Sequence, residues 1–333
     1  MRRLLLAVLV LILLTALAAG GGWLWFSTEI THDGPHAADR VVLIPPGSSV
    51  RAIAGKLTDA GIVRSDLLFR LAARTEGAER ALKSGEFLFP ARASITGVLG
   101  ILAKGDTVDR NLTIPEGLTV AEALDIVAKA EGLTGPLPDS PDEGRLLPET
   151  YRYAYYDTKA QAVRRMEQAL DTALRKAWDG REDGLPLVSP EEALILASIV
   201  EKETGVKAER RRVAGVFLNR LRKGMKLQSD PTVIYGLTQG KGPLGRDLTR
   251  ADLEASSPWN TYVIDGLPPT PIANPGLAAI EAVLHPEDTK DLYFVADGTG
   301  GHVFSETLME HNRNVAKWRK FRNGQKNGES VGK

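Results

Sequence analysis

The sequence predicts an α+β protein: an N-terminal transmembrane helix, a small α/β module, and then a larger mixed α+β domain. Three observations predict it. An uncharged run from Leu4 to Phe26 follows Arg2 and Arg3. Short strand–turn–helix units recur between residues 41 and 133. A long capped helix, uncharged along its middle, begins at Ser189 and is followed by polar loops. The chain has 333 residues, with 42 Lys+Arg balanced by 42 Asp+Glu. A zero net charge argues against a general polyanion binder and so against nucleic acid as a partner. With no cysteine, disulfides, thiolate metal sites and a Cys nucleophile are excluded. The five histidines are scattered without a ligand-pair spacing, so neither a metal nor a cofactor is implied.

The run from Leu4 to Phe26 is long enough to cross a hydrocarbon layer of about 30 Å at roughly 1.5 Å per residue. Arg2 and Arg3 place the N-terminus in the cytoplasm by the positive-inside rule. Trp23, Trp25 and Phe26 then fall at the far interface, where aromatic side chains settle. The competing reading is a cleaved signal peptide, since Ala16-Leu17-Ala18 fits a small-residue cleavage pattern. The apolar run continues past that site, which favours an uncleaved anchor over residues 1–26. Residues 27–40 are polar, carry Gly34-Pro35, and read as a linker.

Val41 to Ile44 is a β-branched strand turned by Pro45-Pro46-Gly47. Ser48 or Ser49 caps a helix with the stripe Val50, Ile53, Ala54 and Leu57. Gly85 to Pro90 followed by Ser94, and Ile114 to Gly117 followed by Thr119, repeat the strand–turn–helix pattern. Such units resemble the LysM peptidoglycan-binding module, which we assign to residues 41–110. The alternative is a spacer that binds nothing.

In Ser189 to Gly205, Ser189 is an N-cap, Pro190 suits N1, Glu192 at N3 completes a capping box, and Gly205 suits the left-handed C-terminal position. Ala193 to Val200 is uncharged on every face, so it belongs in a core. Glu201 and Glu203 then end that helix. A carboxyl group withdrawn from water has a raised pKa and can deliver a proton near neutral pH. Glycosidic cleavage needs such an acid. The bland alternative is a solvated helix end paired with Lys202 or with Arg210 to Arg212. The two glutamates lie about 200° apart round the helix and cannot share a face. The bulkier stripe above Glu203 favours it as the acid, with Glu201 as the fallback. A second helix ends at Gly224 and carries Asn219. Leu227 to Thr232 reads as a polar turn with Gln228 and Asp230. Ser257 to Tyr262 joins aromatics to the amide of Asn260, a mixture suited to sugar rings. Asp297 to Gly301 reads as a hairpin turn, and His302 beside it as structural.

Several stretches occur in one order: Ala197-Ser-Ile-Val-Glu-Lys-Glu-Thr204, Val216-Phe-Leu-Asn-Arg-Leu221, Gly224 to Gly236, Asn260-Thr-Tyr262, Gly266-Leu-Pro-Pro269 and Leu292-Tyr-Phe-Val-Ala296. Together with Glu143 to Tyr151 they resemble the YceG-like endolytic murein transglycosylases, the MltG family. Glu149 stands where many members have Asp. The resemblance implies a single-pass protein of the inner membrane with its catalytic domain, residues 111–322, in the periplasm. It implies cleavage of the MurNAc-β-1,4-GlcNAc bond inside glycan strands to leave 1,6-anhydro ends, alongside peptidoglycan synthases. It places the catalytic acid in the Glu-x-Glu pair, carried onto Glu203 with Glu201 as fallback. Gln228, Asp230, Asn260 and Tyr262 would then position the sugars, and Asn219 would orient the acid. A hydrolase would need a second carboxylate, for which Glu149 and Asp230 are the candidates. A non-enzymatic wall-binding scaffold is the third reading. Residues 323–333 are expected to form a flexible polar tail.

Overall fold

The structure, a computed structural model, describes residues 2–329. The chain divides into two compact units, Met1–Arg110 with Arg152–Asp157, and Asn111–Tyr151 with Thr158–Lys333.

The first unit opens with helix α1, Arg2–Thr31. It is long and apolar enough to cross a membrane, and its leucines from Leu4 to Leu17 are exposed. Exposed apolar side chains on every face of one helix are costly in water and favourable in lipid. α1 continues through Ser27 to Thr31, so the polar segment read as a linker begins as helix. Phe26, expected at the membrane interface, instead packs with Ile30 on this unit's core.

Strand β1, Arg40–Ile44, pairs antiparallel with β2, Gly85–Phe89. Alternate residues face inward: Ile44, Phe87 and Phe89 are fully buried while Val41 and Leu88 are exposed, the period-2 signature of a sheet with one covered face. Helices α2 (Val50–Asp59), α3 (Asp66–Thr75) and α4 (Ile95–Lys104) cover that face. Each starts at a serine, Ser49, Ser65 or Ser94, whose hydroxyl accepts a backbone N–H of the first turn. Each such cap stabilises its helix by about 1 kcal/mol.

The chain passes into the second unit along β3 (Asp109–Thr113), and β3 pairs with β4 (Thr150–Ala154). Between them lies α5 (Val120–Lys129), closed by a complete capping box of Thr119 and Glu122. Helix α6 (Lys159–Asp179) has its own box, Thr158 with Gln161.

Helix α7 (Pro190–Glu203) is the centre of the second unit. Every residue from Ala193 to Val200 is buried, as the uncharged stretch requires. Each fully buried Leu, Ile or Val there stabilises the fold by roughly 1.5–3 kcal/mol. The one hydroxyl among them, Ser198, is satisfied: it donates to Ile195 O at 2.7 Å and accepts from Ile272 N at 3.0 Å. Two expectations about the helix ends do not hold. Ser189 accepts from Glu192 N, but the Glu192 carboxylate turns to Val188 N instead of closing the box on Ser189. At the other end Thr204 is the C-cap in an extended conformation. Gly205 is not left-handed, because the chain leaves the helix extended and needs no reversal there.

Around α7 pack α6, α8 (Arg210–Arg222), α9 (Asp230–Thr238) and α11 (Leu277–Leu284), with the short α10 (Arg250–Glu254) beside α9. The segment read as a polar turn up to Thr232 therefore ends at Ser229, and Asp230-Pro231 opens α9. Strands β5 (Tyr293–Ala296) and β6 (His302–Ser305) form an antiparallel hairpin in register Phe294↔Phe304. Asp297 closes its turn by accepting Thr299 N and Gly301 N. Helix α12 (Leu308–Glu329) runs into the segment expected to be a flexible tail. Residues 330–333 lie outside the described residues.

Candidate active site

The last turn of α7 carries Glu201, Lys202 and Glu203, and about 100° per residue sends them in three directions. Glu201 points towards α8 and α11. Its Oε1 faces Arg210 Nη2 at 3.2 Å and its Oε2 accepts Gly276 N at 3.0 Å. Burial pushes its pKa up, while the Gly276 N–H and the Arg210 guanidinium pull it down. Arg210 is itself buried. Both oxygens of Glu201 are thus held by fixed donors, the environment of a structural ion pair.

Glu203 has a different setting. Its Oε1 accepts from Ser229 Oγ at 2.5 Å. Burial raises its pKa to about 6; the Ser229 hydrogen bond opposes the rise, the nearby Asp230 charge adds to it, and His302 and Arg220 lower it. As the final residue of α7 it also lies in the negative end of the helix dipole, which disfavours ionisation. A carboxyl group in this state is protonated often enough near neutrality to act as an acid, and is basic enough once ionised to take a proton back.

The loop that reaches Glu203 is built by hydroxyls. Ser229 is the N-cap of α9, yet it makes no capping bond, because its hydroxyl is turned to Glu203. Its backbone N donates to Thr261 Oγ1 at 2.9 Å, Thr232 Oγ1 donates to Ser229 O at 2.6 Å, and Thr232 and Thr261 share a hydrogen bond at 2.8 Å. All three residues are buried. Gln228 precedes them in a left-handed conformation, φ 50°, with its side chain exposed. A non-glycine residue held there carries strain of the kind found at functional loops. Asp230 is exposed and accepts Tyr262 Oη at 2.6 Å. Burial and the Asp230 carboxylate both push the Tyr262 phenol up.

Asp230 and Tyr262 are therefore gathered beside Glu203, with Gln228 next to Ser229 in the chain, whereas Asn219 and Asn260 are not free to act there. Asn219 donates to Thr289 O and Asp291 O and accepts from Arg222, so it ties α8 to the strand that follows and does not orient the acid. Asn260 is 1% exposed and donates to the carbonyls of Asp252, Leu253 and Ala255. Its amide shapes the loop below Tyr262 and presents nothing to a ligand. Glu149 is exposed and accepts its neighbour Thr150 N.

Ser229, Thr232 and Thr261 were not singled out from the sequence; the only signal was a good N-cap residue placed before Asp-Pro. His302, read as a turn-flanking residue without a partner, has one. Glu209 accepts His302 N at 2.9 Å and meets its Nδ1 at 2.8 Å. Arg220 is buried and donates to Leu292 O and Leu227 O at 2.7 Å each, which pins β5 and the 226–229 loop to α8. No group of three or more His, Asp or Glu side chains among the described residues could hold a metal ion.

The YceG-like family model matches residues 42–317. The chain belongs to the YceG-like family. Curated relatives of this YceG-like chain include the endolytic murein transglycosylase of Bacillus subtilis, 34% identical over 83% of this chain and 83% of the relative. The endolytic murein transglycosylase of Streptococcus pneumoniae is 31% identical over 92% of this chain, which spans only 64% of the streptococcal protein. Among solved structures, the crystal structure of a YceG-like protein from Listeria monocytogenes is similar with a TM-score of 0.51 and 32% identity, covering 83% of this chain and 99% of that one. The segment that supplies Glu201, Glu203, Ser229 and Tyr262 lies wholly inside the matched range.

Proposed function

We propose that this chain is an endolytic peptidoglycan lytic transglycosylase with Glu203 as its single acid and base. The observation that carries the reading is the desolvated Glu203 carboxyl, raised to about 6 and held by Ser229; the names of its relatives supply the substrate class. Protonated Glu203 gives its proton to the oxygen linking MurNAc C1 to GlcNAc as that bond breaks. The positive charge developing at C1 is stabilised by the substrate's own N-acetyl group. The carboxylate then takes the proton of the muramyl C6 hydroxyl as O6 bonds to C1, leaving a 1,6-anhydro ring and a restored acid. No water is consumed. Gln228, Asp230 and Tyr262 position the sugars.

Asp230 is the nearby carboxylate that a two-carboxylate hydrolase would use, and its bond to Tyr262 favours a positioning role instead. Mass spectrometry of digested glycan strands tests the choice. Anhydro ends support transglycosylation, new reducing ends require hydrolysis, and intact strands leave a wall-binding scaffold.

The same reading places α1 in the cytoplasmic (inner) membrane, with Arg2 and Arg3 inside and the catalytic unit in the periplasm. Residues 41–110 then serve as a LysM-like module near the wall, and the anchored enzyme works beside peptidoglycan synthases. Protease protection of the full chain in oriented vesicles tests the orientation.

A further inference from the structure

Lys202 lies between the two glutamates and takes the third direction off α7. It is exposed, and its Nζ donates to Gly117 O at 3.0 Å. That partner is neutral, and Lys202 makes no ion pair with a carboxylate among the described residues. An ammonium has three donors, so two are left. Lys202 borders an open cleft of about 500 Å³ whose other walls include Pro231, Ile234 and Tyr235 of α9, with Ile272. The other charged groups on its rim are Arg246 and Glu122. Arg246 is bidentate to Asp252, and Glu122 closes the Thr119 capping box. Lys202 is thus the cation on this lining that makes no ion pair, although its charge is felt by the Glu201 carboxylate.

The cleft shares two elements with the acid. α9 begins at Ser229 and Asp230, beside Glu203, and its next turns wall the cleft. α7 supplies Glu203 to one side and Lys202 to the other. The apolar walls suit the face of a pyranose, the volume is that of a ligand pocket, and the exposed ammonium, free of any ion pair, can take an anion. In an alternating glycan the muramyl residue is the one that carries anions, through the carboxylates of its stem peptide.

Resting on the transglycosylase reading, we infer that this cleft is a subsite for a peptide-bearing MurNAc residue next to the cleaved bond, and that Lys202 pairs with a stem-peptide carboxylate. Lys202 is a specificity residue here. It takes no part in proton transfer.

The test measures binding without turnover. The full chain carrying Glu203→Gln, in detergent micelles, is titrated with a GlcNAc–MurNAc tetrasaccharide bearing its stem peptides, and with the same sugar after the peptides are removed and the exposed lactyl carboxylates are amidated. Adding Lys202→Met should weaken binding of the peptide-bearing sugar about tenfold, the change expected for one charged hydrogen bond. Binding of the bare sugar should stay the same. Lys202→Arg should restore part of the loss. Equal weakening for both sugars, or none for either, overturns the subsite. Whether the unmodified protein leaves anhydro ends is read separately, so the cleft can fail while the transglycosylase reading stands, and the reverse.

Discussion

Ser229 Oγ donates to Glu203 Oε1 across 2.5 Å, and in doing so leaves the N-terminus of α9 without its side-chain cap. A capping bond is worth about 1 kcal/mol. The hydroxyl is instead held on the carboxyl group that burial would otherwise push up further. Ser229→Ala removes a bond that favours the ionised form. The Glu203 pKa should rise above about 6, moving the alkaline limb of the pH–rate profile upward while kcat falls. An unmoved limb would show that Ser229 does not tune the acid.

Asp230→Asn should act in the opposite sense. The Asp230 charge disfavours ionisation of Glu203, so its removal lowers the pKa and shifts the alkaline limb downward. Exchange of the charged acceptor of Tyr262 for a neutral amide oxygen should also raise KM for glycan strands. The measurement is the same profile, with KM followed across pH.

Glu203→Gln should lower turnover by at least about a hundredfold, since one group serves as both acid and base. It should also stabilise the protein at neutral pH. The folded pKa of about 6 lies above the ordinary 4.5, so the folded state holds a proton that the unfolded state has lost between those values. The native protein is therefore relatively destabilised as pH rises from about 4.5 to 6, by roughly 2 kcal/mol in all. Glutamine avoids that cost. Its gain in melting temperature should appear above pH 6 and vanish below pH 4.5.

Glu201→Gln should destabilise instead. It leaves the buried Arg210 facing a neutral amide, with the more exposed Glu116 at 3.7 Å as the remaining carboxylate. Breaking a buried pair costs on the order of 3 kcal/mol, readable as a lower urea midpoint. Retained anhydro products in Glu203→Gln, together with their loss in a folded Glu201→Gln, would move the acid to Glu201.

Asn260→Ala should cost about 1–3 kcal/mol by removing an amide that donates to three carbonyls and accepts Tyr262 N. A melting curve checks this. An unchanged midpoint would mean that the amide is not what fixes the loop.

The elements and the neighbourhood of the chemistry were legible in the chain's local patterns. The apolar run gave α1. Short apolar runs closed by turn residues gave β1 and β2, and serine and threonine caps gave α2, α4 and α5, because these signals depend on residues a few positions apart. The uncharged run from Ala193 to Val200 likewise announced a buried helix that ends in two glutamates. The different surroundings of those glutamates came into view only with the fold. Their surroundings come from residues far along the chain, Arg210 and Gly276 for Glu201, Ser229 and Asp230 for Glu203. The same distance misled the reading of Asn219 and Asn260, polar side chains that look fit for a ligand until the backbone carbonyls they satisfy are seen. A side chain's chemistry is written locally, but its solvation and its partners are set by what folds against it.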